Sequence, residues 1–586
     1  MPELMGISLS STQTLTIALL PLLYFLVLPL LLRILTPQPL PGIPYRKGRQ
    51  FPIIGDGLDA GKWLTEQTTI TQWFDGVIQA FMYTGPEKGA EWGVLGRKGG
   101  EEMSANEMMQ DFEKDGLERS ERWEGICQMM FGLGNGARQV LVTDVHEIHN
   151  ILTKRTAEFE RADVTINVFS GILPLGQIAL KTAPPTSAWS YNDIKVAAAN
   201  NLVKLWHLKT ETLGEGQFFE SSEDLMYFAS DAITDIAFGK GYNLLPEYIQ
   251  SLSSASPSSA PSSNQTNQIV EFPYNPNAMY HATEGLLNTL PLFSAFPKFS
   301  IFLQSLQPKW RSDKRLVHAF IYEQIAEARE RSIARGDERA ELADSAIDQA
   351  LLKDGTVDAL SEPELRDEVL LFLAAGQETT ARTLSWGMKM LARAPDVQKR
   401  LKKELTDAGL LEREMTYHDL LADKVPYLEA TANEILRLAG TAAGVSRIAT
   451  RDTTVLGKHI PKGTTLYMPL TLMATLPMED LAGDAHAVGP SDAKWRGATL
   501  KQFMPDRWLD DDGQFDASVG VQSLPFSAGQ RGCFGKALAI LELKTMLAKI
   551  NLAFFLDSIP AEHDNDEFVE FVSRKPKLAY VRPVPW

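Results

Sequence analysis

Near the C-terminus the chain reads PFSAGQRGCFGKALA over residues 525–539. One of its 2 cysteines, Cys533, sits there among glycines and close to Arg531, just ahead of the helix-like run KALAILELKTMLAKI. A free cysteine ordinarily goes to the core. At a helix start, the dipole, the free N–H groups and a nearby arginine favour the thiolate instead. Such a sulfur serves as a nucleophile or as a metal ligand. No histidine stands close in sequence to act as its base, which favours the ligand. Gly529 and Gly535 permit tight turns and let the backbone approach something flat or bulky.

Three further segments carry residues of the same kind. AAGQETT (374–380) lies inside an apolar pattern of helical period that runs from Ser361 to Pro395. Gly376, Thr379 and Thr383 share one face of that helix. Glycine costs about 1 kcal/mol relative to alanine in a helix interior, and a threonine hydroxyl that bonds the carbonyl one turn back bends the helix. The helix is thus weakened beside an acid, Glu378, although a plain small-residue helix crossing explains the segment equally well. In EILR (434–437), Glu434 and Arg437 are spaced to pair on one helix face. FMPDRW (503–508) supplies Arg507 in a proline-marked turn.

In this order the four segments resemble the cytochrome P-450 family of heme-thiolate monooxygenases. The family patterns F-x-x-G-x-R-x-C-x-G, A-G-x-[DE]-T-[TS], E-x-x-R and F-x-P-x-R-[WF] are all met, and the resemblance covers about residues 37–586. It implies a mostly α fold with a smaller β portion, built as a single large heme domain. It implies heme b with Cys533 as the thiolate ligand of its iron, Phe526 packed by the cysteine loop, and Gly535 in the same cofactor-binding stretch. Arg531 and Arg447 would pair with the heme propionates. Glu378 and Thr379 would be the acid–alcohol pair that delivers protons for dioxygen activation. Glu434, Arg437 and Arg507 would form a buried, structural ion network, and GTAAGV (440–445) would line the space above the heme.

The reaction so implied inserts one oxygen atom of O2 into a lipophilic small molecule. No flavin or nicotinamide fingerprint is present, so NADPH electrons would come through a separate reductase, with cytochrome b5 as a further donor. The alternatives are a heme-thiolate isomerase or dehydratase that needs no reductase, a non-catalytic heme-binding paralogue, and a nucleophilic cysteine enzyme without heme. One departure stands out. Members of the family usually carry W-x-x-x-R on a helix that grips the propionates, yet here Trp189 is followed four residues on by Asp193, with Lys195 the nearest base.

The elements that must position these residues are legible in outline. The chain has 586 residues, 44% of them hydrophobic, and a net charge of -17, which argues against nucleic acid as a partner. Two cysteines fit a reducing compartment. From Glu3 to Arg33 no residue between is charged, and LTIALLPLLYFLVLPLLL (15–32) is nearly all apolar. A bilayer core needs about 20 such residues, and the basic residues Arg33, Arg46, Lys47 and Arg49 follow it. Residues 1–36 are therefore expected to be a single-pass anchor in the endoplasmic reticulum membrane, with the catalytic domain facing the cytosol; a cleaved signal peptide would want a basic n-region. TPQPLPGIP (36–44) reads as a stiff spacer, 137–144 as a strand, 145–162 as a helix, and 222–239 as an amphipathic helix stopped by glycine. His146 and His149 are three apart, not the four of a helical zinc pair, and read as surface histidines. The serine-rich stretch 251–268 reads as a flexible loop. The apolar stretch 290–303 is either core or a membrane-facing patch. Residues 446–469 alternate as strands, with turns at Gly457 and in PKG (461–463).

Overall fold

The structure is a computed structural model. It describes residues 39–43, 97–98, 101–102, 125–130, 138–181, 197–254, 268–290, 297–335, 345–352, 360–411, 413, 415–476, 495, 497–570 and 572–586. The expected anchor (1–36), most of the serine-rich loop, and Trp189, Asp193 and Lys195 lie outside the described residues. Among the described residues no helix is long and apolar enough to cross a membrane. The chain divides into two compact units, residues 1–143 with 447–467, and residues 144–446 with 468–586.

The smaller unit is built from strands β1 (Ile126–Met130), β2 (Arg138–Val142), β3 (Val445–Ala449), β4 (Thr453–Val455), β5 (Lys458–Ile460) and β6 (Thr465–Met468). β1 pairs antiparallel with β2, and β6 runs parallel to β2 with Thr465 opposite Gln139. The order is β1-β2-β6-β3. Ile126, Cys127, Met129, Val140, Leu141 and Val142 are all buried. The β4–β5 hairpin closes through Leu456 and Gly457, both at positive φ (47° and 72°), as the twist of a two-residue hairpin turn requires. The proline-rich stretch is more than a spacer. Gln128 reaches its backbone three times, accepting from Leu40 N–H at 2.8 Å and donating to the carbonyls of Leu40 (2.9 Å) and Ile43 (2.8 Å).

The larger unit is helical. Its first helix, α1 (Val145–Thr153), is capped by Asp144, whose carboxylate accepts from Glu147 N–H at 2.7 Å. The helix expected over 145–162 stops there. The N–H groups of Lys154 and Arg155 both turn back to the carbonyl of Asn150, and Arg155 spans Glu147 and Glu158, so the chain folds over and continues as a short strand, Phe159–Arg161. Helices α2 (Ala197–Thr210), α3 (Ser222–Phe238), α4 (Ala278–Leu287), α5 (Pro297–Ser305) and α6 (Pro308–Arg335) follow. α3 is buried along most of its length rather than on one face, and Gly239 ends it at φ 79°. On α2 the buried Lys209 places Nζ 2.7 Å from both oxygens of Asp224, amid the rings of Phe219, Tyr248 and Phe272.

The axis of this unit is α7 (Glu362–Ala392), 31 residues long, or about 46 Å at 1.5 Å per residue. A capping box of Ser361 and Glu364 starts it and Pro363 occupies its first turn. Close to its end, Pro395 opens the next helix. α7 lies along α3 so closely that a Cβ on Gly376 would come within 2.5 Å of Ile233 Cδ1. It meets α8 (Pro426–Ala439) at Gly387, 3.1 Å from Ile435 by the same test. α9 (Lys536–Ala553) and the hairpin β7 (Phe568–Glu570)–β8 (Arg574–Pro576) complete its surroundings. Trp386 on α7 donates to the carbonyl of Arg574 at 3.2 Å. Overpacking a crossing of this kind costs about 1–3 kcal/mol. Gly376→Ala is therefore expected to lower the denaturant midpoint, and Ile233→Ala in the same chain to recover part of that loss; simple additivity of the two changes would refute the crossing.

Candidate active site

Backbone geometry shapes the loop that carries Cys533. Ser527 and Gly529 sit at positive φ, 56° and 70°. Gly532 N–H donates to Gly529 O at 2.9 Å, and Cys533 N–H to Phe526 O at 2.8 Å. Gly529 admits no side chain, because a Cβ there would stand 1.9 Å from the carbonyl oxygen of Leu152, at the end of α1. Phe526 is half-buried and packs against the main core. Gly535 is the N-cap of α9, and the space its Cβ would take is open.

Cys533 is exposed on this loop, whereas Cys127 is buried in β1. Its thiol is pushed above the ordinary value by desolvation, which outweighs the hydrogen bond from the Gly535 N–H and the charge of Lys536. Desolvation thus works against the thiolate that the helix start favours. Arg531 is not among the groups that act on the sulfur. Its Nη2 donates to the carbonyl of Lys181, while its Nη1 is buried and meets no hydrogen-bond acceptor among the described residues. A bound metal cation reverses such a balance, since a coordinating thiol is deprotonated outright.

On α7 the polar residues divide by face. Gly376 serves the crossing with α3. Thr379 Oγ1 donates to Ala375 O at 2.5 Å and Thr383 Oγ1 to Thr379 O at 2.8 Å, each one turn back. Glu378 Oε1 accepts from Ser573 Oγ at 2.8 Å. Thr380 Oγ1 donates to Glu542 Oε2 at 3.1 Å, which ties the threonine pair to α9, the helix that the cysteine loop leads into. Glu542 is pushed up to about 8 by burial, partly offset by Thr380. Glu284 on α4 accepts from Gln377 Nε2 at 2.6 Å and is pushed up to about 7, chiefly by burial and then by Glu378.

Glu434, Arg437 and Arg507 come together with their side chains at 0% exposure. Glu434 Oε1 accepts from Arg437 Nη2 (2.8 Å), Arg507 Nε (2.9 Å) and Met504 N–H (2.9 Å), and Oε2 accepts from Arg437 Nε (2.8 Å) and Trp508 Nε1 (2.9 Å). The arginines spend further donors on carbonyls of Ala474, Leu500 and Thr499. Arg447 is buried on β3, in the smaller unit. Ser573, Thr441, Gln377 and Glu284 were not legible as site residues. Ser573 and Glu284 reach α7 from distant segments that stand in no local pattern, whereas Gln377 lies within AAGQETT and Thr441 within GTAAGV, where only their partners were hidden.

The donor set fits a heme. It offers a sulfur on the exposed side of a glycine loop, open space at Gly535, and a buried guanidinium nitrogen awaiting an acceptor such as a carboxylate. Comparison with known proteins agrees. The Cytochrome P450 family model matches residues 178–478 and 498–582, and the chain belongs to that family. A protein named cytochrome P450 monooxygenase GME11363, from Pestalotiopsis microspora, is 28% identical over 98% of this chain and 99% of its own length. Cytochrome P450 monooxygenase TRI13 of Fusarium sporotrichioides is 28% identical over 65% of this chain and 72% of its own. Cytochrome P450 4e2 of Drosophila melanogaster is 26% identical over 62% and 63%. By family the chain is an oxidoreductase of the monooxygenase class.

Two outcomes follow from the buried acids. Removing one partner of a buried ion network costs about 3–5 kcal/mol, so Arg507→Ala is expected to lower unfolding free energy by that order, read by chemical denaturation. Glu542 stays neutral in the fold while the unfolded carboxyl ionises. It therefore subtracts stability as pH rises from its ordinary 4.5 to about 8. Glu542→Gln should gain stability relative to the parent across that window; a difference that does not change with pH would contradict the raised carboxyl.

Proposed function

We propose that this chain is a heme-thiolate monooxygenase that inserts one oxygen atom of O2 into a lipophilic small molecule. The observation that carries the reading is the loop 526–535, with an exposed sulfur, a glycine packed against α1 and a buried Arg531 nitrogen that meets no acceptor among the described residues. In this reading Cys533 Sγ holds the iron, Gly535 keeps space clear, and Arg531 Nη1 meets a propionate, with Arg447 as a second propionate partner. The heme when bound supplies dioxygen activation. Glu378 holds and releases a proton at its carboxylate. Thr379 relays it by accepting at a lone pair of Oγ1 and giving up the hydrogen that otherwise rests on Ala375 O, so that one proton enters the hydroxyl as another leaves.

Electrons come from NADPH through a separate reductase, with cytochrome b5 as a further donor, since the sequence carries no flavin or nicotinamide fingerprint. The apolar run at 15–32 supports attachment to the endoplasmic reticulum membrane with the catalytic part in the cytosol. The described part of the stretch 290–303 supports it too. Leu290 is buried, but α5 buries no residue, and Phe299 (58% exposed), Phe302 (55%) and Leu303 (48%) lie in the open. Lys309, Arg311, Lys314 and Arg315 follow directly, a basic margin suited to anionic headgroups in a chain that is otherwise acidic.

The reduced protein with carbon monoxide is expected to absorb at about 450 nm, as thiolate ligation requires, and Cys533→Ala to lose that band. A band at about 420 nm in the parent would remove the thiolate reading. With reductase and NADPH, Thr379→Ala should keep the band yet divert electrons to peroxide; an unchanged ratio of product to NADPH would count against its relay role.

A further inference from the structure

The acid and alcohol of α7 are neighbours in sequence, yet their supports come from two separate segments that are themselves joined. Ser573, at the start of β8 and 2% exposed, donates to Glu378 Oε1 at 2.8 Å. The next residue, Arg574, donates its backbone N–H to the carbonyl of Thr441 at 3.0 Å. Thr441 Oγ1 lies 2.8 Å from Thr383 Oγ1, and Thr383 Oγ1 donates to the carbonyl of Thr379 at 2.8 Å. A hydroxyl has one hydrogen. That of Thr383 is spent on Thr379 O, so the Thr441 hydroxyl is the donor to Thr383.

The contacts therefore close into a ring: Glu378, Ser573, Arg574, Thr441, Thr383, Thr379 and back to Glu378 through one peptide bond. Its two outer supports are rigid. Thr441 follows Gly440, which ends α8 at φ 53° and has Thr471 where a Cβ would lie, 2.5 Å away. Arg574 stacks its guanidinium 3.8 Å from the centre of the Phe568 ring, and its carbonyl accepts from Trp386 on α7.

We propose that Ser573, Thr441 and Thr383 are positioning residues of the proton relay: Ser573 fixes the rotamer of the Glu378 carboxylate, and Thr441 through Thr383 fixes the turn at Thr379. The proposal rests on the reading of Glu378 and Thr379 given above. It also makes the loop after α8 and the β7–β8 hairpin two handles on one relay, so that a molecule pressing on either changes the aim of both groups. Ser573 acts on a charged acceptor, where one hydrogen bond biases a rotamer population by roughly tenfold or more.

The test uses the full-length heme-loaded protein. The infrared C–O stretch of its reduced carbon monoxide complex reports the polar groups beside the ligand and needs neither substrate nor reductase. Ser573→Ala and Thr383→Val are each expected to shift or split that stretch while the absorbance near 450 nm stays, and Ser573→Thr and Thr383→Ser to restore the parent band. With reductase, peroxide formed per NADPH should rise in the first two variants and return in the second two. An unchanged stretch and peroxide ratio in both Ser573→Ala and Thr383→Val, with the 450 nm band intact, would overturn the proposal. So would a shift that the conservative variants fail to reverse, which marks general disturbance rather than positioning. Loss of the 450 nm band in the parent overturns the heme-thiolate reading itself, and is thereby told apart from failure of the ring.

Discussion

Five hydrogen bonds converge on the carboxylate of Glu434, a group wholly removed from water. Taking such a charge out of solvent costs several kcal/mol, and the attraction of its partners repays this only where geometry and remaining donors are satisfied. Here both oxygens are engaged and the two arginines go on to bond carbonyls from a third and fourth stretch of chain. The network thus fixes where α8 lies against the turn at 503–508. Much follows from that placement. α8 packs on α7 through Ile435 and Gly387, and its end at Gly440 sets the direction in which Thr441 departs. A charge cluster remote from the chemistry thereby determines where a hydroxyl beside Thr379 can stand.

α7 illustrates how one stretch of helix serves packing and chemistry side by side. Gly376 has no side chain because Ile233 occupies the space, a purely steric demand. Thr379 and Thr383 are poor helix formers, and each uses its hydroxyl on a carbonyl one turn back. The bonds lie where Ala375 is exposed between half-buried neighbours, the placement in which such hydroxyls favour a bend. Thr380 points elsewhere, to a neutral carboxyl on α9. Four small or hydroxylated residues that look interchangeable in the sequence are thus assigned to different partners by the segments packed against each.

The local constraints were the legible ones. The capping box at Ser361 and Glu364, the glycine stop at Gly239, the hairpin at Gly457 and the spacing of Glu434 and Arg437 are short-range consequences of backbone donors and acceptors. Each appears where its residues predict. Side-chain identity also marked Cys533, Glu378, Thr379 and Arg507, through a resemblance that rests on fixed spacings. What stayed hidden depends on distance. Nothing around Ser573 announces that its hydroxyl meets an acid on α7, and nothing around Lys181 announces that its carbonyl takes the donor expected to serve a propionate. The helix over 145–162 fails in the sequence reading for a related reason. Its apolar period continues, but Arg155 finds two carboxylates that reward folding over. At Cys533 the helix start and Arg531 are visible in the sequence, whereas the desolvation of the sulfur and the turn of Arg531 toward Lys181 are not.

The contact between Gly529 and Leu152 has a consequence in time as well as space. The cysteine loop takes its shape against the end of α1, yet the two lie far apart in the sequence. Contacts of such sequence separation form late, because the entropy of closing the intervening chain must be met first. Nearly the whole polypeptide must leave the ribosome before the loop can reach the surface it folds on. The sulfur is therefore among the last features of the molecule to be placed, and a heme that meets the chain during synthesis finds helices before it finds a ligand.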